Sequence, residues 1–345
     1  MVVGDSISQG LEGDYTWRYR LAQHLGASGG VDFVGPWTGT NRLPSAVADD
    51  YPRTRTPAAV DAAYRPGIRF DSAHYASWGR AMHETKDTIR GVVEAQQPDY
   101  LLVELGFNDL AWGINNPAGL LNDMRTFVTQ ARAARPDIRF LIANVPHRSP
   151  LDIVATLPGM TNDYNDRLAT VLHGLNTQAS PISLVDIEGP LDPAADTYDG
   201  VHPNGVGEYK IAKAFAEALS TRFGVGGAFG AIPGDVPGPA PAAPGSVTVT
   251  ATPAGLTVAW PHSFGAAGYW LYQRDATAGS AWERLPLVIP ADSWKLSSVV
   301  TGHTYEFRVA AARGDAESAR SPTGSAVAST TTAATAASHP RTATS

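Results

Sequence analysis

Two short motifs in the first third of this 345-residue chain contain groups that nucleophilic catalysis requires. The motif GDSI at 4–7 carries the hydroxyl of Ser6 at the start of a helix or turn, where backbone N–H groups can stabilise an oxyanion. The motif GFND at 106–109 carries the side-chain amide of Asn108, which can donate an N–H to developing negative charge. Each motif alone is also typical of plain structure, because Asp and Ser are common helix caps and Gly-x-Asn-Asp is a good strand-ending turn.

A third motif, DGVHP at 199–203, supplies a candidate base. The carboxylate of Asp199, three residues before the imidazole of His202, can accept the Nδ1–H bond and leave Nε2 free to take a proton. The alternative interpretation is a turn at Asp199 followed by a helix with Pro203 at its first position. The three motifs together predict nucleophilic catalysis by a serine, because three separate structural explanations would otherwise have to coincide.

Apolar runs and helical patterns alternate around these motifs, and each motif follows a predicted strand or lies in the loop after one. Such alternation predicts a parallel sheet covered on both sides by helices, with ligands bound beyond the carboxyl ends of the strands. The predicted strands are 1–3, 31–34, 100–105, 140–144 and 182–187. The predicted helices begin after a cap at Asp14 or Thr16, or run over 78–94, 118–134 and 161–175, and the last follows Pro203. The proline-rich stretch 37–69 fits no element and is predicted to be an inserted loop that borders a cleft.

On these motifs, residues 1–223 resemble an SGNH (GDSL-type) hydrolase. The resemblance implies a flavodoxin-like three-layer α/β/α fold with a central parallel sheet, and no metal or organic cofactor. It implies that Ser6 is the nucleophile, that Asp199 and His202 complete the triad, and that Asn108 belongs to the oxyanion hole with the N–H of Ser6. A glycine of a second block should complete that hole. Its candidate is Gly79, and the weaker alternatives are Gly67 and Gly91.

The run GLEGDYTW at 10–17 is similar to the acetylxylan-esterase-like branch of that family. This similarity implies hydrolysis of carboxylic esters that carry short acyl groups, such as acetyl groups on carbohydrate. Three alternatives stay open: acyl transfer or ester cleavage in small-molecule biosynthesis, a lipase-like hydrolase, and an inactive hydrolase-like domain that only binds.

Several other residues are candidates for the site or for exclusion from it. His147 follows a predicted strand on the correct edge of the sheet, and Trp78 and Trp112 fall in or near cleft-forming loops, so these three are candidate substrate-binding residues. The GASGG run at 26–30 matches a nucleophile-elbow pattern around Ser28, but a helix precedes it and no strand does. It is therefore interpreted as a glycine-rich helix stop.

The carboxyl-terminal part has a different composition. Residues 224–243 are rich in Gly, Pro and Ala and predict an extended linker, and residues 331–345 predict a low-complexity tail. Residues 244–330 alternate as strands and resemble a fibronectin type III module, an all-β immunoglobulin-like sandwich, with Trp260 in its core and Tyr305 in a tyrosine corner. This module is expected to contact carbohydrate or protein.

Composition excludes several function classes. The chain has no cysteine, which excludes disulfides and thiolate chemistry, and its net charge of −7 argues against nucleic-acid binding. No apolar run is long enough for a membrane span.

Because the first motif begins at Gly4, we expect either residues upstream of Met1 or a truncated first strand. The resemblance implies an extracellular location, with a cytoplasmic one as the alternative.

Overall fold

The computed structural model describes residues 1–27, 30–42, 62–150 and 154–329. Two compact units divide the chain: Met1–Ala240 with Arg313–Ala316, and Pro241–Ala312 with the residues from Glu317 onward. The predicted domain bounds, including the linker at 224–243, stay predictions. The predicted tail lies outside the described residues, as does most of the predicted inserted loop.

The first unit is built on a five-stranded parallel sheet with helices on both faces, which confirms the predicted α/β class. From one edge to the other, the strands are Tyr75–Ala76 (β2), Val2–Gly4 (β1), Tyr100–Glu104 (β3), Arg139–Ala143 (β4) and Ile182–Val185 (β5). The order therefore reverses beside the first strand and leaves a crevice between the ends of β1 and β3. The elements are β1 (Val2–Gly4), α1 (Ser6–Gln9), α2 (Trp17–Gly26), β2 (Tyr75–Ala76), α3 (Met82–Gln96), β3 (Tyr100–Glu104), α4 (Phe107–Ala111), α5 (Pro117–Ala134), β4 (Arg139–Ala143), α6 (Leu157–Leu175), β5 (Ile182–Val185) and α7 (Gly205–Phe223).

Alternate residues of the buried strands face two separate apolar cores. Val2 and Leu102 pack toward α2 and α7, whereas Val3 and Val103 pack toward α3 and α5. Trp17 and Phe215 stack in the α2–α7 core at a ring-centroid distance of 4.7 Å. Burial on both faces explains why these strands are continuous apolar runs in the sequence, and it makes the sheet edge that bears the motifs rigid.

The strand predicted at 31–34 is wrong. This segment pairs with no strand among the described residues, and the sheet position beside β1 is taken by Tyr75–Ala76. Val31 is 44% exposed, and the Phe33 N–H donates to the Asp71 carboxylate instead of a neighbouring strand. Tyr75 and Ala76 were missed because a strand of two residues is too short to show a period in the sequence. Residues 31–34 were mistaken for a strand because they form a short apolar run.

Two helix starts differ from the prediction. The helix predicted from Trp78 begins at Met82, because Gly79 has a φ of +73° that a helix does not permit. The helix predicted from Thr161 begins at Leu157. Of the two predicted caps for α2, the structure has Thr16, whose hydroxyl accepts a hydrogen bond from the Tyr19 N–H.

The second unit is an antiparallel β-structure, as the alternation predicts. It has a three-stranded sheet (β10-β7-β6) and a second sheet (β12-β11-β8-β9, with β13 paired to β11). Trp260 packs edge-on against Tyr269 in its core, and the Tyr305 hydroxyl accepts a hydrogen bond from the Val300 N–H, as a tyrosine corner requires. Its strands are β6 (Thr248–Thr252), β7 (Gly255–Ala259), β8 (Gly268–Asp275), β9 (Glu283–Arg284), β10 (Ser293–Leu296), β11 (Thr304–Arg313), β12 (Ala316–Glu317) and β13 (Gly324–Val327). None of the helices described in either unit is both long and apolar enough to cross a membrane.

Candidate active site

The crevice at the carboxyl ends of β1 and β3 receives two of the three sequence motifs. Ser6 is the first residue of α1, directly after β1, and Asn108 lies in the first turn of α4, directly after β3. These two strands are hydrogen-bonded neighbours, with Gly4 opposite Glu104. Parallel neighbours end at the same edge, so the two side chains arrive together although about a hundred residues separate them.

Ser6 is held by its neighbour in the motif. Asp5 caps α1, and its Oδ1 accepts a hydrogen bond of 2.9 Å from the Ile7 N–H. At the end of this short helix, the Gly10 N–H donates a hydrogen bond of 2.9 Å to the Ser6 carbonyl. Ser6 is 6% exposed. Ser6 is therefore a largely buried residue whose backbone is held by its own short helix.

The third motif brings an imidazole to this hydroxyl. His202 Nε2 lies 2.9 Å from Ser6 Oγ, and His202 Nδ1 lies 2.6 Å from Asp199 Oδ2. The other oxygen of Asp199 accepts hydrogen bonds from the backbone N–H groups of Val201 and His202. Asp199 is thereby held by its own turn while it orients the ring, and the remaining ring nitrogen faces the serine.

The charges of this pair favour an ionised carboxylate beside a basic imidazole. Burial works to raise the pKa of Asp199, but the attraction of His202 and its hydrogen bonds lower it to about 2. Burial works to lower the pKa of His202, yet the Asp199 carboxylate outweighs it and raises that pKa above its ordinary value. The imidazole is therefore a stronger base than that of a free histidine. When the solution is acidified, it becomes protonated, and so unable to accept a proton, at a higher pH than a free histidine does.

One glycine allows the Asp–His turn to approach its support. Gly200 has a φ of +90°, and its carbonyl accepts a hydrogen bond of 2.8 Å from the Ser149 N–H. A Cβ at this position would lie 1.8 Å from the Ser149 carbonyl oxygen. Only glycine permits both the conformation and the contact, so the second residue of the motif is required for the geometry of its first and fourth.

Asn108 binds the loop between β2 and α3. Its Nδ2 donates to the Arg80 carbonyl at 2.9 Å and makes a longer contact of 3.4 Å to Asp5 Oδ2. The amide has two N–H bonds, so one is firmly used in structure while the other makes only the long contact. The adjacent Asp109 accepts from the N–H groups of Met82 and His83 and so caps α3. The GFND motif thus holds the loop that bears Gly79.

The loop that bears Gly79 is also attached to the GDSI block. The Ser77 N–H donates to the Gly4 carbonyl at 3.0 Å, and the Trp78 N–H donates to Gln9 Oε1 at 2.5 Å. Gly79 itself takes a left-handed conformation between two residues that are bound to different elements. Of the glycines considered for the second block, Gly67 and Gly91 have open space around them, whereas Gly79 lies in this joined loop.

The three candidate substrate-binding residues have different surroundings. The indole of Trp78 stacks on the imidazole of His202 with ring centroids 4.3 Å apart and an interplanar angle of 19°. His147 bonds to Asn162 at 2.9 Å and lies 3.8 Å from Glu188, and neither partner belongs to the triad. Trp112 is 48% exposed at the end of α4. Ser28, which was set aside, lies outside the described residues.

Sequence reasoning missed a buried acid beneath the nucleophile. Glu104, the last residue of β3, is buried, accepts a hydrogen bond of 2.8 Å from Ser8 Oγ, and hydrogen-bonds the carboxyl group of Asp5. Burial raises the pKa of Asp5 to about 6, and burial together with the charge of Asp5 raises the pKa of Glu104 well above its usual range. Two carboxyl groups in contact share a proton, and Glu104 carries it. The only signal in the sequence was a glutamate in an otherwise apolar strand.

We expect Glu104→Gln to change how stability depends on pH. Folded Glu104 keeps a proton that the unfolded chain releases above about pH 4.5, so its contribution to stability falls as pH rises toward the raised pKa. One such proton makes the unfolding free energy fall by about 1.4 kcal/mol per pH unit in that window. Glutamine keeps the donor and acceptor but cannot ionise. Urea unfolding at pH 6.5 and 8 should therefore show a smaller loss for the variant.

The exposed Glu94→Gln on α3 is the matched control and should leave that pH slope unchanged. Equal slopes for the wild-type protein and Glu104→Gln would mean that Glu104 is ionised in the folded state.

Among residues 1–27, 30–42, 62–150 and 154–329, no three His, Asp or Glu side chains converge in the way that a metal site would need.

Several solved structures are similar to parts of this chain. A solved carbohydrate esterase of family 3 from Talaromyces cellulolyticus matches 64% of this chain and 94% of its own, at 22% identity and a TM-score of 0.50. A family 3 carbohydrate esterase from Clostridium thermocellum matches 66% of this chain and 98% of its own, at 21% identity and a TM-score of 0.47. A Fn3-like protein from Clostridium thermocellum matches 25% of this chain and 92% of its own, at 20% identity and a TM-score of 0.23. A search of curated protein sequences finds no match.

Residues 1–215, which include the GDSI, GFND and DGVHP motifs, match the family described as GDSL-like lipase/acylhydrolase. The match spans more than half of the chain. The protein therefore belongs to the GDSL-like lipase/acylhydrolase family and is a carboxylic ester hydrolase.

Proposed function

We propose that the protein hydrolyses esters through a Ser6–His202–Asp199 triad and a covalent acyl-enzyme. The observation that carries this proposal is the continuous pair of contacts, 2.9 Å from Ser6 Oγ to His202 Nε2 and 2.6 Å from His202 Nδ1 to Asp199 Oδ2. Both distances are within hydrogen-bonding reach, which a nucleophile, its base and the group that orients the base require.

The reaction then follows from the atoms in place. Ser6 Oγ attacks the ester carbonyl carbon while His202 Nε2 takes the serine proton, and the carbonyl π electrons move onto the oxygen. His202 returns that proton to the departing alcohol oxygen as the C–O bond breaks, which leaves an acyl group on Ser6. A water molecule then attacks the acyl carbon while His202 Nε2 takes a proton from it. The bond from that carbon to Ser6 Oγ breaks, His202 returns the proton to Ser6 Oγ, and the carboxylic acid leaves.

The proposed oxyanion hole consists of the N–H groups of Ser6 and Gly79 and the amide of Asn108. The 3.4 Å contact from Asn108 to Asp5 is long for a hydrogen bond, so this N–H can turn to an oxyanion at little cost. The firmer bond to the Arg80 carbonyl keeps the amide in place meanwhile. Preorganised donors of this kind stabilise the charge that forms in the transition state.

The surroundings of Ser6 favour a small acyl group. The nucleophile is 6% exposed, and the indole of Trp78 covers the imidazole beside it. An acetyl group needs little room at such a position, whereas a long chain needs an apolar channel. The alcohol is assigned to carbohydrate on the similarity of the run at 10–17 and on the solved carbohydrate esterase from Talaromyces cellulolyticus. His147 and Trp112 remain proposed contacts of that alcohol.

A rate panel of aryl esters from acetate to decanoate, together with acetylated xylan, tests this assignment. We expect the ratio kcat/KM to be highest for acetate, to fall steeply with chain length, and acetate to be released from the polysaccharide. Ser6→Ala is the control for enzyme-independent hydrolysis. A preference for long chains would favour a lipase-like enzyme, and efficient transfer to an added alcohol instead of water would favour acyl transfer in small-molecule biosynthesis.

We expect Asn108→Ala to reduce kcat by a hundredfold or more, because loss of one oxyanion donor typically costs about 3 kcal/mol in the transition state. Asn122→Ala, which removes an exposed asparagine from α5, is the matched control and should keep full activity. Circular dichroism should show both variants folded. Undiminished turnover by a folded Asn108→Ala variant would exclude this amide from the oxyanion hole.

A polymeric substrate also implies where the protein works. Polysaccharides do not cross cell membranes, so we infer an extracellular location and a carbohydrate or protein contact for the β-sandwich. Fractionation of producing cells tests the location, and the esterase activity should be recovered in the medium. Activity confined to the cytoplasm would contradict both the location and the polysaccharide substrate.

A further inference from the structure

We propose that Trp78 is a positioning residue for the catalytic imidazole: its indole face orients His202 toward Ser6 and stabilises the imidazolium that forms in each proton transfer. This role rests on the proposed triad and differs from the substrate contact that the sequence predicts for Trp78. The loop that bears Trp78 and Gly79 would then both position the catalytic base, His202, and contribute to the oxyanion hole.

The ring geometry carries the proposal. The indole and imidazole centroids lie 4.3 Å apart with planes only 19° from parallel, which is close to face-to-face contact. Tyr198, the residue before Asp199, has its ring nearly parallel to the imidazole at 5.8 Å. Parallel aromatic contact limits the tilt of His202, while its two ring nitrogens are aligned by Asp199 and Ser6. A cation over an indole face is further attracted by the ring quadrupole.

The indole face that contacts His202 is not available to stack on a sugar ring. Substrate contact through the edge or the opposite face would be a separate effect and would appear in KM.

The backbone of Trp78 is fixed to the segment that bears the nucleophile. Its N–H donates to Gln9 Oε1 at 2.5 Å, and Gln9 is the buried last residue of the same short helix that begins at Ser6. The preceding residue, Ser77, donates to the Gly4 carbonyl. The indole is therefore positioned relative to Ser6, so it can align the imidazole with the hydroxyl rather than merely fill space beside it.

The charge around His202 makes the indole contribution measurable. Asp199 lies on its own turn, and Asp5 and Asp14 face it from the β1–α1 junction and from the loop before α2; all three favour the protonated ring, while burial opposes it. His202 has a side chain that is 16% exposed, so water compensates little for a lost partner. Removing the aromatic face should make the imidazolium less stable without touching these carboxylates.

The test compares Trp78→Leu, Trp78→Met and Trp78→Phe with the wild-type full-length protein. NMR titration of the His202 ring without substrate reports its protonation directly, and steady-state kinetics on an aryl acetate report kcat and KM as a function of pH. We expect Leu and Met to lower the pKa of His202, to move the acid limb of kcat to lower pH, and to reduce kcat about tenfold with a small change in KM. Phenylalanine keeps an aromatic face and should restore part of each effect.

Trp282→Leu, a change at a half-buried tryptophan of the β-sandwich, is the matched control and should change neither measurement. A raised KM with unchanged kcat and unchanged His202 titration would overturn the proposal and make Trp78 a substrate contact. The three side chains differ in size and shape, so the Trp78→Met or Trp78→Phe variant still gives the measurement if Trp78→Leu does not fold. Ser6→Ala in the same series distinguishes failure of the triad proposal from failure of the Trp78 proposal. An active Ser6→Ala variant would refute the triad. An inactive Ser6→Ala variant, together with an unchanged His202 titration in the Trp78 variants, would refute only the role of Trp78.

Discussion

We expect Ser6→Ala to lower kcat by about 10⁶-fold while the protein stays folded, as removal of the serine nucleophile does in a serine protease. The variant loses the atom that forms the acyl-enzyme and keeps the oxyanion donors, so a weak residual rate over water should remain. The small side chain adds no volume at this buried position, and the Asp5 cap on the Ile7 N–H does not involve the lost hydroxyl. Hydrolysis of an aryl acetate measures the loss.

An organophosphate reagent gives a second, independent readout of the same residue. The wild-type protein should be labelled once per chain at Ser6, and Ser6→Ala should not be labelled. Ser28→Ala is the matched control, since Ser28 lies in the GASGG run that matches a nucleophile-elbow pattern, and it should retain both labelling and activity. Labelling at another serine, or full activity in Ser6→Ala, would refute the assignment of the nucleophile.

Asp199→Asn should have the second largest effect, a loss in kcat of about 10⁴-fold, as for the equivalent change in serine proteases. Asparagine can present an N–H to His202 Nδ1, which favours the tautomer whose Nε2 bears the proton and cannot act as a base. The pH profile should change as well. Asp199 raises the pKa of His202, so wild-type activity falls as pH drops through that raised value. Without the carboxylate the acid limb of the residual activity should move to lower pH.

Asp163→Asn, on the exposed face of α6, is the matched control and should alter neither the rate nor the limb. An acid limb that stays in place in Asp199→Asn would mean that another group controls the protonation of His202.

The main features of the fold were predictable because they depend on local patterns. The buried strands that became β1, β3 and β4 are runs of apolar residues, because helices cover both faces of the sheet. The helix over Pro117–Ala134 was predicted to within one residue at its start, because Asn116 and Pro117 are strong start signals for a helix. The GDSI and GFND motifs follow strand ends and the DGVHP motif lies in the loop after β5, as the order of elements along the chain suggested.

Other features depend on contacts that have no local pattern. The second strand of the sheet has two residues, Tyr75 and Ala76, and exists because β1 offers a free edge for pairing. The start of α3 was placed too early because 78–94 is helical in composition, whereas hydrogen bonds from Gly4, Gln9 and Asn108 hold 77–80 as a loop. That difference allows Trp78 to reach His202, which a helix beginning at Trp78 would not predict.

Residue types and their order along the chain were sufficient to nominate a serine, an amide and an Asp–His pair, since the chemistry of each group is carried in its own side chain and nearest neighbours. The distance between Ser6 and His202, 196 positions apart, could come only from the folded sheet, which brings separate strand ends to one edge. Folding also determined which groups are protonated: Glu104 and Asp5 are ordinary acids in the sequence, and their burial together alters their ionisation. Distances and desolvation belong to packing, and no local pattern encodes them.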